Sequence, residues 1–319
     1  MKCVVTGAAG FIGSHLSERL LADGHSVIGV DCFTPYYSRA LKEANLVKAR
    51  SREGFRMQEA DLRTSDIGGL FADAEAVFHL AAQPGVRGSF GSGFRDYVEH
   101  NIMGTQRVLE WALENRALQV LVFASSASVY GDVPPPMRED GPTEPTSPYG
   151  VTKLAAEHLC LQYCRESGVP VVVLRFFSVF GPRQRPDMAL TKLAKALLLD
   201  EEFTAFAGGE QERDFTYVSD VVGAVMAASN PKFKGTVINV AGGNRISLKG
   251  AMAIYEKISG NKLKIRHAEK QMGDAKITEA DTARLRGTLG FSPKVRLEEG
   301  LRRQFEWARE NISLLAEAG

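Results

Sequence analysis

The opening of the chain limits the fold more than any other segment. Residues 2–5 read as an apolar strand. Thr6-Gly7-Ala8-Ala9-Gly10-Phe11-Ile12-Gly13 reads as a glycine-rich turn, and residues 11–21 as the helix it opens. The three glycines meet three needs: a tight turn out of a strand, close approach of backbone to a pyrophosphate, and close packing of helix on sheet. The spacing has one residue more between the first two glycines than the standard dinucleotide fingerprint. The free amides of the turn and the positive end of the helix favour phosphate. Asp31 follows Gly13 by 18 residues and ends a strand over 26–30. An acid there hydrogen-bonds an adenine ribose 2′-hydroxyl and repels a 2′-phosphate, which favours NAD over NADP. The competing reading is an ordinary strand–helix turn with a surface acid.

Far downstream stands Ser147-Pro148-Tyr149-Gly150-Val151-Thr152-Lys153. Ser147 suits a helix cap and Pro148 the first helical position, so Tyr149 and Lys153 share one helical face. A free tyrosine titrates near pH 10, and bringing it to pH 7 requires about 4 kcal/mol. A cation about 4 Å away at an effective dielectric near 20 supplies a similar amount. Lys153 and a nicotinamide ring can together ionise Tyr149. Alone, the pair reads better as a tyrosine stacked on an aliphatic lysine stem; the glycine turn upstream favours chemistry. Between the two segments, the apolar strand Val120-Leu121-Val122-Phe123 ends in serines at 125, 126 and 128. Hydroxyls at the carboxyl end of a parallel strand face the ligand crevice, where one can bridge a substrate oxygen and Tyr149.

These residues resemble the extended short-chain dehydrogenase/reductases, and among them the nucleotide-sugar 4-epimerases, with UDP-glucuronate 4-epimerases the nearest match. The resemblance spans essentially the whole chain: TGAAGFIGSH, ADL (60–62), HLAA (79–82), NIMGT (101–105), SSASVYGD (125–132), SPYGVTK, LRFFSVFGPRQRPDMA (174–189), RDFTYVSD (213–220) and MGD (272–274). It implies Tyr149 as base, Lys153 as its partner and Ser126 on the sugar O4. It implies cofactor contacts from Gly7, Gly10, Phe11, Ile12, Gly13, Asp31, Asp61, Leu62, Leu80, Ala81, Ala82, Asn101 and Phe177. Substrate contacts fall to Arg87, Ser128, Ser178, Met188, Thr204, Phe206 near uracil, Arg213 on the pyrophosphate and Asp274 on the uridine ribose. Dehydratases and decarboxylases of this family carry an acid just before Val-Tyr-Gly. Here Ala127 and Ser128 stand there, which favours epimerisation. Ser178 replaces the asparagine of galactose-type epimerases, and the following RPDMA segment resembles the uronate enzymes. Arg185 is then the cation for a C6 carboxylate, since a guanidinium fork matches a carboxylate bidentately; Arg183 and Arg185 as loop cations or phosphate contacts is the alternative. One departure from the galactose-type pattern is Gln271 in place of a phosphate-binding arginine, which leaves phosphate binding more to Arg213 and the loop after Phe177. The alternatives in function are a UDP-glucose or UDP-N-acetylglucosamine 4-epimerase, a decarboxylase or dehydratase, and a non-catalytic NAD-binding regulator.

The remaining features bound this reading. With 39 basic and 38 acidic residues in 319, net charge is +1, and no basic stripe points to nucleic acid. No apolar run approaches the ~18 residues that span a bilayer, and no secretion signal opens the chain. Cys3, Cys32, Cys160 and Cys164 show no metal spacing, the histidines are scattered, and no metal is expected. A reducing, cytoplasmic location fits. Strands at about 2–6, 26–31, 55–60, 76–80, 119–125 and 171–176 alternate with helical stretches, which makes an α/β, doubly wound parallel sheet. Residues 1–177 form the NAD-binding domain and 178–319 mainly a nucleotide-sugar domain, with 215–240 and about 297–309 returning to the first. The resemblance further implies a homodimer through helices at about 94–116 and 148–166.

Overall fold

Val120 to Phe123 are apolar at successive positions, and all four are buried. A strand apolar on both faces belongs in the middle of a covered parallel sheet. The computed structural model, which describes residues 1–317, builds that sheet. In chain order the strands are β1 Lys2–Thr6, β2 Ser26–Asp31, β3 Phe55–Glu59, β4 Ala76–His79, β5 Val120–Ser126, β6 Val171–Phe176, β7 Val179–Phe180, β8 Glu202–Phe206, β9 Glu212–Tyr217, β10 Val237–Val240, β11 Asn244–Ser247, β12 Lys264–Ala268 and β13 Ile277–Thr278. The large sheet runs β10-β6-β5-β4-β1-β2-β3, and every neighbouring pair in it is parallel. Alternate residues serve opposite layers: Cys3, Val5, Val120 and Val122 join one core, and Val4, Leu121 and Phe123 the other. Strand order reverses between β1 and β4. Ligands of such sheets bind outside the carboxyl ends of the strands at that switch point. Thr6, Asp31, His79 and Ser126 all end their strands.

The smaller part carries the sheet β11-β9-β13, with β7 beside β9, and the pair β12-β8. The two parts share one core: Val5 and Leu20 belong to the same buried cluster as Leu193, Phe203 and Phe305. Two segments cross between the sheets. The return to the large sheet begins with helix Val218–Ala228 and ends in β10, because Phe215 lies in β9, a strand of the small sheet. The last long helix, Leu297–Glu310, packs against helices Ala189–Leu199 and Leu248–Ser259 and against β9. Its stripe of Leu301, Phe305 and Ala308 is buried in that shared core, so it stays with the smaller part.

Candidate active site

The crevice is a single cavity of about 980 Å³, open at the carboxyl ends of β1, β2, β4, β5 and β6 and walled opposite by β8, β9 and β13. Gly7 turns the chain with a φ of 71°. A Cβ on it would lie 3.0 Å from the Ala81 backbone, and one on Gly13 would lie 2.1 Å from the Gly7 carbonyl oxygen. Both positions are therefore closed to any side chain. Helix Phe11–Ala22 starts at Gly10 without a side-chain cap. Its first amides have no intrahelical partner by position, and they meet the cavity at Phe11, Ile12 and Gly13. Asp31 anchors the loop by accepting from the Ala9 N–H at 3.2 Å and the Phe33 N–H at 2.8 Å. Burial pushes its carboxyl up, and the Lys42 ammonium and those amides oppose this. The groups present fit a dinucleotide: bare amides, glycines that no Cβ could replace, and an acid at the end of β2.

Asp61, Leu62, Leu80, Ala81, Ala82 and Phe177 also line the cavity. Asp61 is paired with Arg63 at 2.7 Å, which holds its carboxyl below the ordinary range. Cys32, Asp61 and His100, far apart in sequence, bring potential ligand atoms within 4.8 Å of one another there.

Asn101 stands behind the cavity wall. It is buried and does not line the cavity. Its carboxamide accepts from the Gln83 N–H at 2.7 Å and donates to the Gln83 carbonyl at 3.1 Å and to Thr152 Oγ1 at 3.0 Å. Thr152 in turn donates to the Tyr149 carbonyl at 2.9 Å. Asn101 sits in a single π-helical turn, Val98–Met103, and with its bonds satisfied it braces the Gln83 loop and the Tyr149 helix from behind.

Helix Pro148–Ser167 begins as its sequence requires: Ser147 Oγ accepts from the Gly150 N–H at 3.1 Å, and Pro148 takes the first position. Ser126 Oγ accepts from the Ser128 N–H at 3.1 Å and lines the cavity together with the Tyr149 phenol. Burial pushes that phenol up; the Ser126 hydroxyl and then the Arg185 guanidinium pull it back. Lys153 is buried, with its ammonium 4.5 Å from the centroid of the Phe123 ring, and burial lowers it to about 8. The cation that acts on the phenol here, Arg185, comes from a loop of the smaller part.

Arg185 is itself paired: Nε and Nη2 donate to the two Asp187 oxygens at 2.9 Å each, and Tyr36 donates to Asp187 at 3.3 Å. Arg183 leaves the site altogether, donating to Glu18 at 2.6 Å and Ser14 at 3.2 Å and so tying its loop to helix Phe11–Ala22. Facing the smaller part, Arg87, from the segment after β4, lies 4.3 Å from the Phe206 ring centroid and 3.4 Å from Asp274, and Arg213 lies 3.8 Å from Asp274. Burial pushes Arg213 below its ordinary value, so this cation gains from an anionic ligand. Ser128, Ser178, Met188 and Thr204 line the same cavity.

Tyr36, Asp187, Gln211 and Thr278 are among the lining residues that sequence reasoning missed. Gln211 Oε1 and Thr278 Oγ1 are buried without a hydrogen-bond partner among the described residues. Gln211 stands two residues before the Arg213 motif, which was the one signal available.

Comparison with known proteins agrees with this geometry. A family model described as the NAD dependent epimerase/dehydratase family matches residues 3–241. The chain is 43% identical over 303 residues to the Bacillus subtilis protein named Uncharacterized UDP-glucose epimerase YtcB, covering 94% of this chain and 96% of that one. It is 36% identical over 317 residues to the UDP-glucuronate 4-epimerase of Thermodesulfobacterium geofontis, covering 98% and 97%. Among solved structures, the UDP-glucuronic acid 4-epimerase of Bacillus cereus in complex with UDP-glucuronic acid and NAD superposes with a TM-score of 0.95 at 40% identity, covering 97% of this chain and 99% of that one.

Proposed function

This chain belongs to the NAD-dependent epimerase/dehydratase family, and we propose that it inverts C4 of a UDP-hexuronate, interconverting UDP-glucuronate and UDP-galacturonate. One observation carries the reading: Ser126, Tyr149 and Arg185 line one cavity, where the Ser126 hydroxyl and the Arg185 guanidinium both oppose the upward push of burial on the Tyr149 phenol. Proton-transfer groups thus stand beside a cation suited to the C6 carboxylate. The likeness to uronate epimerases supports it, as does the absence of an acid at Ala127 and Ser128.

Tyr149 takes the proton of the sugar 4-hydroxyl, with Ser126 bridging the two oxygens. NAD, when bound, accepts the C4 hydride and returns it. Gly7, Gly10, Phe11, Ile12 and Gly13 hold its pyrophosphate, Asp31 its adenine ribose, and Asp61 and Leu62 its adenine. Arg213, Arg87, Asp274, Phe206 and Thr204 grip the UDP, so the 4-keto sugar can turn about its pyrophosphate link while the nucleotide stays fixed. Tyr149 then returns the proton on the opposite face. Arg185 meets the substrate carboxylate by its Nη1 edge, because Asp187 occupies the Nε edge. That clamp keeps the carboxylate of the β-keto acid out of line with the carbonyl π system, where it would leave as carbon dioxide.

The same Asp187 pairing favours a second reading. A guanidinium already neutralised also tolerates the neutral C6 of UDP-glucose, in line with the name of the Bacillus subtilis relative. Incubation with UDP-glucuronate, UDP-glucose and UDP-N-acetylglucosamine, followed by NMR, separates the two. Inversion of UDP-glucuronate with the highest kcat/KM is expected; inversion of UDP-glucose alone would overturn the uronate reading.

The working form is a cytoplasmic homodimer. Support comes from the free thiols of Cys3, Cys32, Cys160 and Cys164, and from Phe94, Met103, Leu113 and Val151, which are exposed on the stretches 94–116 and 148–166. Light scattering should report twice the 34.8 kDa chain mass, and a charge at Met103 or Val151 should lower it. No helix among the described residues is long and apolar enough to cross a membrane.

A further inference from the structure

Arg185 comes with a carboxylate of its own. Arg185-Pro186-Asp187-Met188 closes on itself: the Met188 N–H donates to the Arg185 carbonyl at 3.2 Å, and proline takes the second position, where its fixed φ suits a turn. The turn stands Asp187 beside the guanidinium two residues before it. Nε donates to Oδ1 and Nη2 to Oδ2, both at 2.9 Å, a planar fork on a planar carboxylate. Tyr36, from the loop after β2, donates to the same Oδ2 at 3.3 Å, and its ring centroid lies 5.8 Å from the guanidinium carbon. Gly85, after β4, backs the Tyr36 hydroxyl closely; a Cβ there would lie 2.4 Å from that oxygen. Segments from both parts of the fold thus hold one carboxylate on one cation, and Tyr36, Arg185 and Asp187 all line the cavity.

The pairing acts on a ligand in two opposite ways. The Nε–H and one Nη2–H are taken, which leaves the Nη1 edge for a second carboxylate. A sugar carboxylate that takes this edge shares the cation with Asp187 and lies beside a like charge. At an effective dielectric near 20, like charges on neighbouring edges of one guanidinium weaken binding by about tenfold or more. An uncharged C6 alcohol meets no such opposition. Nor does it strand the cation, because Asp187 already pairs it. Specificity is the difference between two affinities, and Asp187 narrows that difference from both ends.

We propose that Asp187 is a specificity-determining residue at the sugar end of the site. Held by the turn and by Tyr36, its carboxylate keeps Arg185 paired, weakens the grip on a C6 carboxylate and admits an uncharged C6. The chain therefore takes UDP-hexuronates and UDP-hexoses more nearly alike than a bare arginine would. The inference rests on the reading above that Arg185 meets the substrate carboxylate, and not on which sugar is turned over faster.

The test measures Kd for UDP-glucuronate and UDP-glucose by calorimetry on full-length, NAD-loaded protein, in a Tyr149→Phe background so that neither ligand is consumed. The ratio of the two constants cancels what the ligands share, the UDP. Asp187→Asn, which keeps the shape and removes the charge, should shift the ratio about tenfold or more toward the uronate, while Asp187→Glu, which keeps the charge, should stay within about threefold of the parent. Arg185→Ala should shift the ratio the other way. If Arg185→Ala does so but Asp187→Asn leaves the ratio unchanged or weakens both ligands alike, the proposal is overturned and Asp187 only braces its loop. A Glu variant that shifts as far as the Asn variant would overturn it too, since shape rather than charge would then decide. An unchanged ratio in Arg185→Ala, or binding of neither ligand by the parent, would overturn the uronate reading and this inference with it.

Discussion

On the β1–β3 side of the crevice, the groups that meet a ligand are backbone amides held by glycines. On the β8, β9 and β13 side they are charged side chains already paired with one another. The first side has almost no freedom: a Cβ at Gly13 would lie 2.1 Å from the Gly7 oxygen. The second is a set of ion pairs at 2.9–3.8 Å, Arg185–Asp187, Arg87–Asp274 and Arg213–Asp274, each able to exchange one anion for another. A cofactor that must stay bound through oxidation and return suits the rigid side. A sugar that must turn over suits the adaptable one. Tyr149 stands where the two meet, its phenol pushed up by burial and pulled back by one group from each part, Ser126 and Arg185.

Substitutions on each side should separate these properties. The largest effect belongs to the meeting point. Tyr149→Phe removes one oxygen and should lower kcat by about 10²–10⁴-fold, with NAD content, measured after acid release, unchanged. Retention of more than about a tenth of the rate would remove Tyr149 from the proton transfer. Arg185→Ala should reduce kcat/KM for UDP-glucuronate about 100-fold, since an unpaired buried charge costs roughly 2–5 kcal/mol, and reduce that for UDP-glucose much less. Equal losses on both substrates would assign Arg185 to the fold or the phosphates. Gly13→Ala should cost roughly 1–3 kcal/mol of stability through overpacking and leave the purified protein with little NAD. Wild-type NAD content would mean that the glycine loop has slack. The smallest effect is expected at Asp31→Ser: NAD binding should weaken by roughly tenfold, a single charge-assisted hydrogen bond, and discrimination against NADP should narrow. Equal binding of both dinucleotides by the wild type would contradict the role given to Asp31.

The two sides also differed in how far the sequence revealed them. The large sheet could be read to within a residue or two, because its strands are apolar on both faces and its helices carry their own start signals, such as Ser147 and Pro148. The glycine loop could be read because glycine spacing encodes backbone shape directly. Side-chain pairings between distant segments could not. Nothing local in Arg185-Pro186-Asp187 says that the aspartate claims the Nε edge of the arginine, or that Tyr36, on another loop, joins it. Spacing alone pairs Lys153 with Tyr149, but nothing local shows that the Arg185 guanidinium, from the other part of the fold, also pulls on the phenol. Asn101 was legible as a functional position but not as one acting from behind the wall, since its π-helical turn has no simple sequence signal. The neighbours of the final helix were not legible, because an apolar stripe shows that a helix packs, and not on what.

The most direct measurement of how the two sides cooperate is inversion of UDP-glucuronate in deuterium oxide, followed at C4 by NMR. Hydride taken from C4 and returned to the same carbon leaves protium there while the configuration inverts. UDP-galacturonate carrying protium at C4, with no carbon dioxide released, is the expected result. Deuterium at C4, release of carbon dioxide, or no inversion of any UDP-sugar would contradict it.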